Sequence, residues 1–336
     1  MKRLVAFFFS LAVSAIYGQD YEGFIAIGKQ AEALGEYQIA IAAYSKAITM
    51  EPKNPDAYVM RAEPYRKTED YVAAISDYDK AESLHFSEQF LYNFRGLCKN
   101  NAGDYTGALN DFDKGLKLVP DDYTCLTNRG ATRITTGDLA GAKQDLDLAL
   151  KINPNYETAL FKRGMLAYNA QRFSEAKPYF LKAVALNPDE VDGHYCLGMI
   201  CVAQEDFASA IVYLTAVISK DPTYTRAYSN RAYSKGHSGD IPGAIEDLSK
   251  AIELEPVMGS FHSDRGLLYA NSGEFNLALA DLDQSIKLDP GSAKDFYVRG
   301  MIKMELNMKQ GACKDLEMAR DLGYPDAANA IIEVCN

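Results

Sequence analysis

The sequence predicts an all-α protein, a solenoid of nine helix–turn–helix units closed by a short C-terminal capping helix. Three observations predict it. Pro120, Pro154, Pro188, Pro222, Pro256 and Pro290 follow one another every 34 residues, and Pro52 lies two such intervals before Pro120. Small residues recur at two fixed slots of the same period, and an arginine recurs at a third. Framed from Tyr21, the units start at residues 21, 55, 89, 123, 157, 191, 225, 259 and 293 and run without insertion to Asp326. One such unit cannot bury its apolar face alone, so neighbours must stack.

The first element lies outside the repeats. Lys2 and Arg3 form a basic start, residues 4–16 are almost wholly apolar, and Ala15 and Gly18 supply small residues. This is the layout of a secretory signal peptide over 1–18, with cleavage expected near Gly18 or, alternatively, Ala15. No cysteine follows the apolar run, so a lipid-anchored start is not expected. No other apolar run approaches the ~18 residues of a membrane span, so the remainder is expected to be soluble. The formal charge is −11, from 35 basic and 46 acidic residues. Without Lys2 and Arg3 the basic count falls to 33 and the charge to −13. Such a surface repels phosphate backbones and anionic lipid heads, which argues against nucleic acid and membrane-surface partners.

Each unit then reads as two helices. In 123–156, helix A is expected over about 122–135, Gly137-Asp138 makes the turn, helix B covers about 140–151, and Pro154 ends it. Gly28, Gly96, Gly130, Gly164, Gly198, Gly266 and Gly300 fill the eighth slot. Alanine fills the twentieth in all nine units, from Ala40 to Ala312, and an aromatic residue or leucine follows four residues later, as in Tyr44, Phe112 and Leu146. Repeats 2 and 9 carry Phe86 and Tyr324 where the others have proline, and Pro64 is expected to kink helix A of repeat 2. Residues 327–336, after Pro325, read as the cap.

This spacing of aromatic, glycine, alanine, aromatic and proline resembles the tetratricopeptide repeat over 21–326. The resemblance implies a right-handed superhelix whose A helices line a concave groove, and a family whose usual work is binding proteins or peptides. It does not say which partner.

The arginine occupies the seventh slot, which the apolar pattern would otherwise fill: Arg61, Arg95, Arg129, Arg163, Arg231, Arg265 and Arg299. Sixteen residues later stand Asp77, Asp111, Asp145, Asp247, Asp281 and Asp315. Six units have both residues and two have neither (Ile27 with Ala43, Leu197 with Tyr213); only repeat 5 departs, with Arg163 opposite Tyr179. Co-occurrence of this kind predicts a structural ion pair, within a unit or between neighbours, that sets helix register. The functional alternative is a row of arginines binding a polyanion.

Catalytic and metal chemistry find no support. His194 and His262 fill the fourth slot, where other units have Phe24, Tyr58, Tyr92 and Tyr228, and read as packed aromatics. His85 falls in a bend between repeats, and His237 alone is expected to face the groove. No HExxH, GxSxG, P-loop or dinucleotide fingerprint occurs, and no metal or cofactor is expected. Cys98, Cys125, Cys196 and Cys201 read as small core residues. Cys313 and Cys335 are placed to form a disulfide pinning the last helix, the alternative being two separate buried thiols.

A partner would meet helix A. The expected groove set is Phe90, Phe94, Leu97, Asn128, Phe161, Met165, Tyr168, Tyr195, Met199, Asn230 and Tyr233; its members from Phe90 to Met199 lie along an apolar stripe over repeats 3 to 6, between charged repeats 1 and 2 and polar repeats 7 and 8. Aromatics supply contact area at low entropy cost, and methionine adapts to varied side chains. Asn128 and Asn230 share the sixth slot, where the resemblance implies an amide that holds a ligand's backbone. The chain therefore reads as an exported, non-enzymatic interaction scaffold, periplasmic or secreted, that binds a peptide or protein in assembly of an envelope or secretion complex. A homo-oligomer using the same stripe is the alternative.

Overall fold

The computed structural model describes residues 20–335; the expected signal peptide lies outside them. The described residues form helices and no strands, and they divide after Gln171 into two compact bodies. The first contains α1 (Tyr21–Ala33), α2 (Tyr37–Met50), α3 (Asp56–Lys67), α4 (Tyr71–Ser83), α5 (Gln89–Asn101), α6 (Tyr105–Leu118), α7 (Tyr123–Thr136), α8 (Leu139–Ile152) and α9 (Glu157–Asn169). The second contains α10 (Phe173–Leu186), α11 (Val191–Ala203), α12 (Phe207–Lys220), α13 (Thr225–His237), α14 (Ile241–Leu254), α15 (Gly259–Asn271), α16 (Phe275–Leu288), α17 (Ala293–Glu305), α18 (Lys309–Asp321) and α19 (Ala327–Val334). Each body is a helical repeat solenoid in which consecutive helices pack on one another. The fifth 34-residue unit contributes α9 to one body and α10 to the other.

Local chemistry explains the helix ends. The fifteenth slot adopts a left-handed conformation in every unit, at Gly35, Glu69, Gly103, Gly137, Gln171, Glu205, Gly239, Gly273 and Asn307. Glycine reaches this region without a Cβ clash, as Gly137 does at φ 87°. In five units the next residue caps helix B: Asp138 Oδ1 accepts from Gly141 N at 2.9 Å, and Asp70, Asp104, Asp206 and Asp240 act alike. Where the terminal proline is missing, the chain stops helix B by other means. His85 and Gly323 turn left-handed, and the following amides, Phe86 N and Tyr324 N, reach back to Ala81 O and Ala319 O at 3.1 and 2.8 Å. Pro64 lies inside α3 and Pro178 inside α10, and both helices continue through them.

The eighth-slot glycines carry the close approach of helix A to helix B. A Cβ on Gly28 would lie 2.3 Å from Tyr44 Cε1, and one on Gly96 would lie 2.7 Å from Phe112 Cε1. Tyr44, Phe112, Leu146, Leu214, Leu282 and Leu316, the ring-or-leucine series, are fully buried beside the buried alanines of the twentieth slot. This column is the core that stacking repeats share.

Candidate functional site

The seventh-slot arginines are built into the fold. Arg129 Nε and Nη2 donate to the two oxygens of Asp145 at 2.9 and 2.5 Å, fastening α7 to α8. Arg61–Asp77, Arg95–Asp111, Arg231–Asp247, Arg265–Asp281 and Arg299–Asp315 repeat the fork with contacts of 2.6–2.8 Å. A third contact had gone unread in the sequence. Each arginine also bonds the residue sixteen positions before it, on helix B of the preceding repeat: Arg61 to Ser45, Arg95 to Asp79, Arg129 to Asp113, Arg163 to Asp147, Arg231 to Thr215, Arg265 to Ser249 and Arg299 to Asp283, at 2.6–3.0 Å. One guanidinium thus ties three helices together, which only a planar fork of five donors can do. The period-34 series Ser45, Asp79, Asp113, Asp147, Thr215, Ser249, Asp283 was the available signal. At its one apolar break, Leu181, the following repeat carries Leu197 instead of arginine. The forks and the bonds to the preceding repeat commit these arginines to contacts inside the fold, as a structural role requires.

Lys99, Arg133, Lys235 and Lys303 add a second cation to Asp111, Asp145, Asp247 and Asp315 at 2.7–3.0 Å. Of the histidines, His262 is buried with Nδ1 3.1 Å from Asp281 Oδ1, and half-buried His194 places Nδ1 2.7 Å from Glu190 O. His237 is exposed and stacks on Phe207 at 4.9 Å. Cys313 and Cys335 form a disulfide with Cα atoms 5.8 Å apart. Cys98, Cys125, Cys196 and Cys201 are buried, and burial pushes the Cys98, Cys125 and Cys196 thiols up to about 12. Among the described residues no three His, Cys, Asp or Glu side chains gather as metal ligands.

The expected groove set is less uniform than its spacing implied. It does not fall on one body: Phe90, Phe94, Leu97, Asn128, Phe161, Met165 and Tyr168 belong to the first, and Tyr195, Met199, Asn230 and Tyr233 to the second. Leu97 and Tyr195 lie half-buried against the cores of neighbouring repeats. Phe161, Met165, Tyr168 and Met199 are half-buried on α9 and α11. The two asparagines bridge successive A helices: Asn128 Nδ2 donates to Asn93 Oδ1 at 2.9 Å, and Asn230 Nδ2 donates to the Tyr195 hydroxyl at 3.2 Å. Their amides serve the stacking of repeats, because a shallow A-helix surface lets a sixth-slot side chain reach the fifth slot of its neighbour.

Two concavities lie nearer the ends of the repeat series. In the first body, α1, α3, α4 and α5 frame a space of about 460 Å³, with Phe86, Phe90 and Phe94 on one wall and Glu32, Asp56 and Glu63 among its polar groups. The rings meet edge-on, Phe86–Phe90 at 5.6 Å and Phe90–Phe94 at 6.3 Å between centroids. In the second body, α13, α14, α15 and α17 frame about 310 Å³ around Tyr233, His237, Leu267 and Leu268, with Asp264 and Asn271 as polar members. The end repeats, expected to be charged or polar, therefore carry apolar walls of their own. Val59 and Met60 on α3 and the leucines on α15 supply them.

The comparisons with known proteins agree with this architecture. A family model described as the tetratricopeptide repeat matches residues 25–85, 161–225 and 230–293, and a second model of the same description matches 123–156. No curated protein matches the chain. Among solved structures, the C-terminal part of a TPR repeat-containing protein from Cytophaga hutchinsonii superposes with a TM-score of 0.60 at 19% identity, covering 70% of this chain and 97% of that one. PilF of Pseudomonas aeruginosa gives 0.54 at 18% identity, covering 60% and 92%. YrrB, described as a TPR protein with an unusual peptide-binding site, gives 0.52 at 22% identity, covering 59% and 97%. At these identities the likeness is one of fold.

Proposed function

Because the chain belongs to the tetratricopeptide repeat family, we propose that it is a non-catalytic interaction scaffold that holds a peptide or protein segment against its A helices. The observation that carries this reading is the pair of ring-lined concavities. Phe90 and Tyr233, both from the expected groove set, line them and still stand 37% and 52% exposed. Exposed aromatics beside a hollow are the usual anchors of a protein contact, since they gain area at little entropic cost. A peptide ligand is the class named for YrrB, and it is proposed here for this chain. The buried acids argue for a structural role over a catalytic one, since each Asp of the series is committed to an arginine fork.

Export to the periplasm, or beyond the cell, is proposed from the pattern of residues 1–18. The Cys313–Cys335 bond supports it, because such bonds persist in oxidising compartments. Assembly of an envelope or secretion complex is the role proposed in that compartment. The excess of acidic residues weighs against nucleic acid as the partner.

Photo-crosslinking residues at Phe90 and Tyr233, with exposed Lys151 on α8 as the control, test the reading in the native cell. Bands to another protein, specific to either position, are expected. Bands only to the chain itself would favour a homo-oligomer, and the absence of specific bands from both positions would sink the scaffold reading.

A further inference from the structure

The concavity of the first body has a chemistry that the second lacks. On one side, Arg66 already shows how its wall holds a cation. The guanidinium donates to both Glu63 oxygens, at 2.8 and 2.5 Å, and sits 5.3 Å from the Phe94 ring centroid. Lys67 approaches the same Glu63 at 4.0 Å, so that carboxylate is neutralised from within the chain. The other two carboxylates are not. Asp56, exposed at the start of α3, makes no ion pair among the described residues. Glu32 receives one hydrogen bond, from the Tyr44 hydroxyl to Oε2 at 3.0 Å, while its Oε1 is sealed from solvent and has no hydrogen-bond partner. A half-buried carboxylate with one donor is poorly solvated, and the exposed ammonium of Lys29 offsets this only in part. Burial, reinforced by the Glu63 charge, raises the Glu32 pKa against the Tyr44 bond that lowers it.

We propose that this concavity is the pocket for a single basic side chain, arginine or lysine, flanked by apolar residues on a protein partner; this rests on the scaffold reading above. Glu32 and Asp56 supply the charge that the cation meets. Phe86 and Phe90 offer faces and edges beside Phe94, and Val59 and Met60 take the apolar flank. A cation between aromatic rings and an under-solvated carboxylate gains from both, and each gain grows as water is excluded. The second body has no such arrangement, because Lys294 shares its concavity with Asp264.

The probe is a capped tripeptide with arginine between two leucines, compared with its citrulline counterpart, which has nearly the same shape and no charge. Both are titrated calorimetrically into the full chain. The arginine peptide is expected to bind about tenfold more tightly than the citrulline peptide. That preference should vanish in Glu32→Gln, which retains an acceptor for Tyr44, and shrink in Phe90→Leu; Asn271→Ala, at the other concavity, should leave it unchanged. Equal binding of the two peptides, no binding of the arginine peptide, or a preference that survives Glu32→Gln each overturns the pocket. So does a change of oligomeric state in Glu32→Gln seen by sedimentation, which would put a second copy there. The scaffold reading fails separately, by loss of the Phe90 and Tyr233 crosslinks, and it survives on Tyr233 crosslinks alone if the basic pocket is wrong.

Discussion

Repeat 1 and repeat 4 solve the same packing problem with opposite chemistry. In repeat 1, Ile27 and Ala43 meet as a small apolar contact completed by Phe24. In repeat 4 the equivalent slots hold Arg129 and Asp145, joined by a fork that Asp113 and Arg133 extend. Both versions fit between the A and B helices of a repeat, so the slot does not require a charge. What differs is reach. Ile27 touches its own unit, whereas Arg129 spans its own helix pair and the helix B before it. A buried ion pair often adds little net stability over an apolar pair of similar volume. Its geometry, however, admits one alignment, and we read the arginine series as the device that sets the register of stacked repeats.

The largest effect expected from this comparison comes from breaking one pair by halves. Arg95→Leu leaves Asp111, 1% exposed, with Lys99 as its remaining charged partner and also strips Asp79 and Glu82 of their bond. A loss of roughly 3–5 kcal/mol is expected, read from urea unfolding, because the buried carboxylate loses its bidentate partner, keeps only Lys99 and cannot regain water. The double change Arg95→Ile with Asp111→Ala imports the chemistry of repeat 1 and should recover most of that loss. If single and double variants unfold alike, the cost lies in lost packing and the register argument falls.

The second effect separates the pinned end from the rest. Cys335→Ser frees α19 from α18 by opening a link between residues 22 apart, with ~3 kcal/mol expected from the chain-entropy argument. A reductant should lower the melting temperature of the native chain and leave that of the variant unmoved. Equal sensitivity of both would mean that the bond does not hold the cap.

Much of this comparison is legible in the sequence alone. The 34-residue period places helix ends within a residue, as at α7 and α8, because capping aspartates and left-handed turns act locally. The forks were legible too, since Arg and Asp appear and disappear together in every unit but repeat 5. Their third partner was not read, because it lies in the preceding unit and alternates between Ser, Thr and Asp, which share an acceptor oxygen but not a charge. The site was the least legible part. Whether a side chain on an A helix faces solvent or covers its neighbour depends on angles between repeats, which periodicity does not encode. Leu97 and Tyr195 illustrate this, as does the hollow beside Phe90, which exists where four helices fail to fill a space.

The smallest effect concerns Glu82, the accessory acid on helix B of repeat 2 that reaches Arg95 of repeat 3; repeat 1 has Ile48 in its place. Burial acts against its ionisation, but hydrogen bonds from Lys114 at 2.9 Å and Arg95 at 2.6 Å outweigh this and hold its pKa at about 2. An unfolded glutamate titrates near ~4.3. The folded value is the lower one, so the unfolded chain binds the proton first. The contribution of Glu82 is complete above the unfolded value and is lost as pH falls from there through about 2. Glu82→Gln should flatten this part of the acid limb, measured as the urea midpoint between pH 5 and the onset of acid unfolding. The side chain is 30% exposed, so the difference should shrink in high salt. Parallel limbs for the native chain and the variant at low salt would remove Glu82 from the stapling network and leave the bidentate forks as its whole extent.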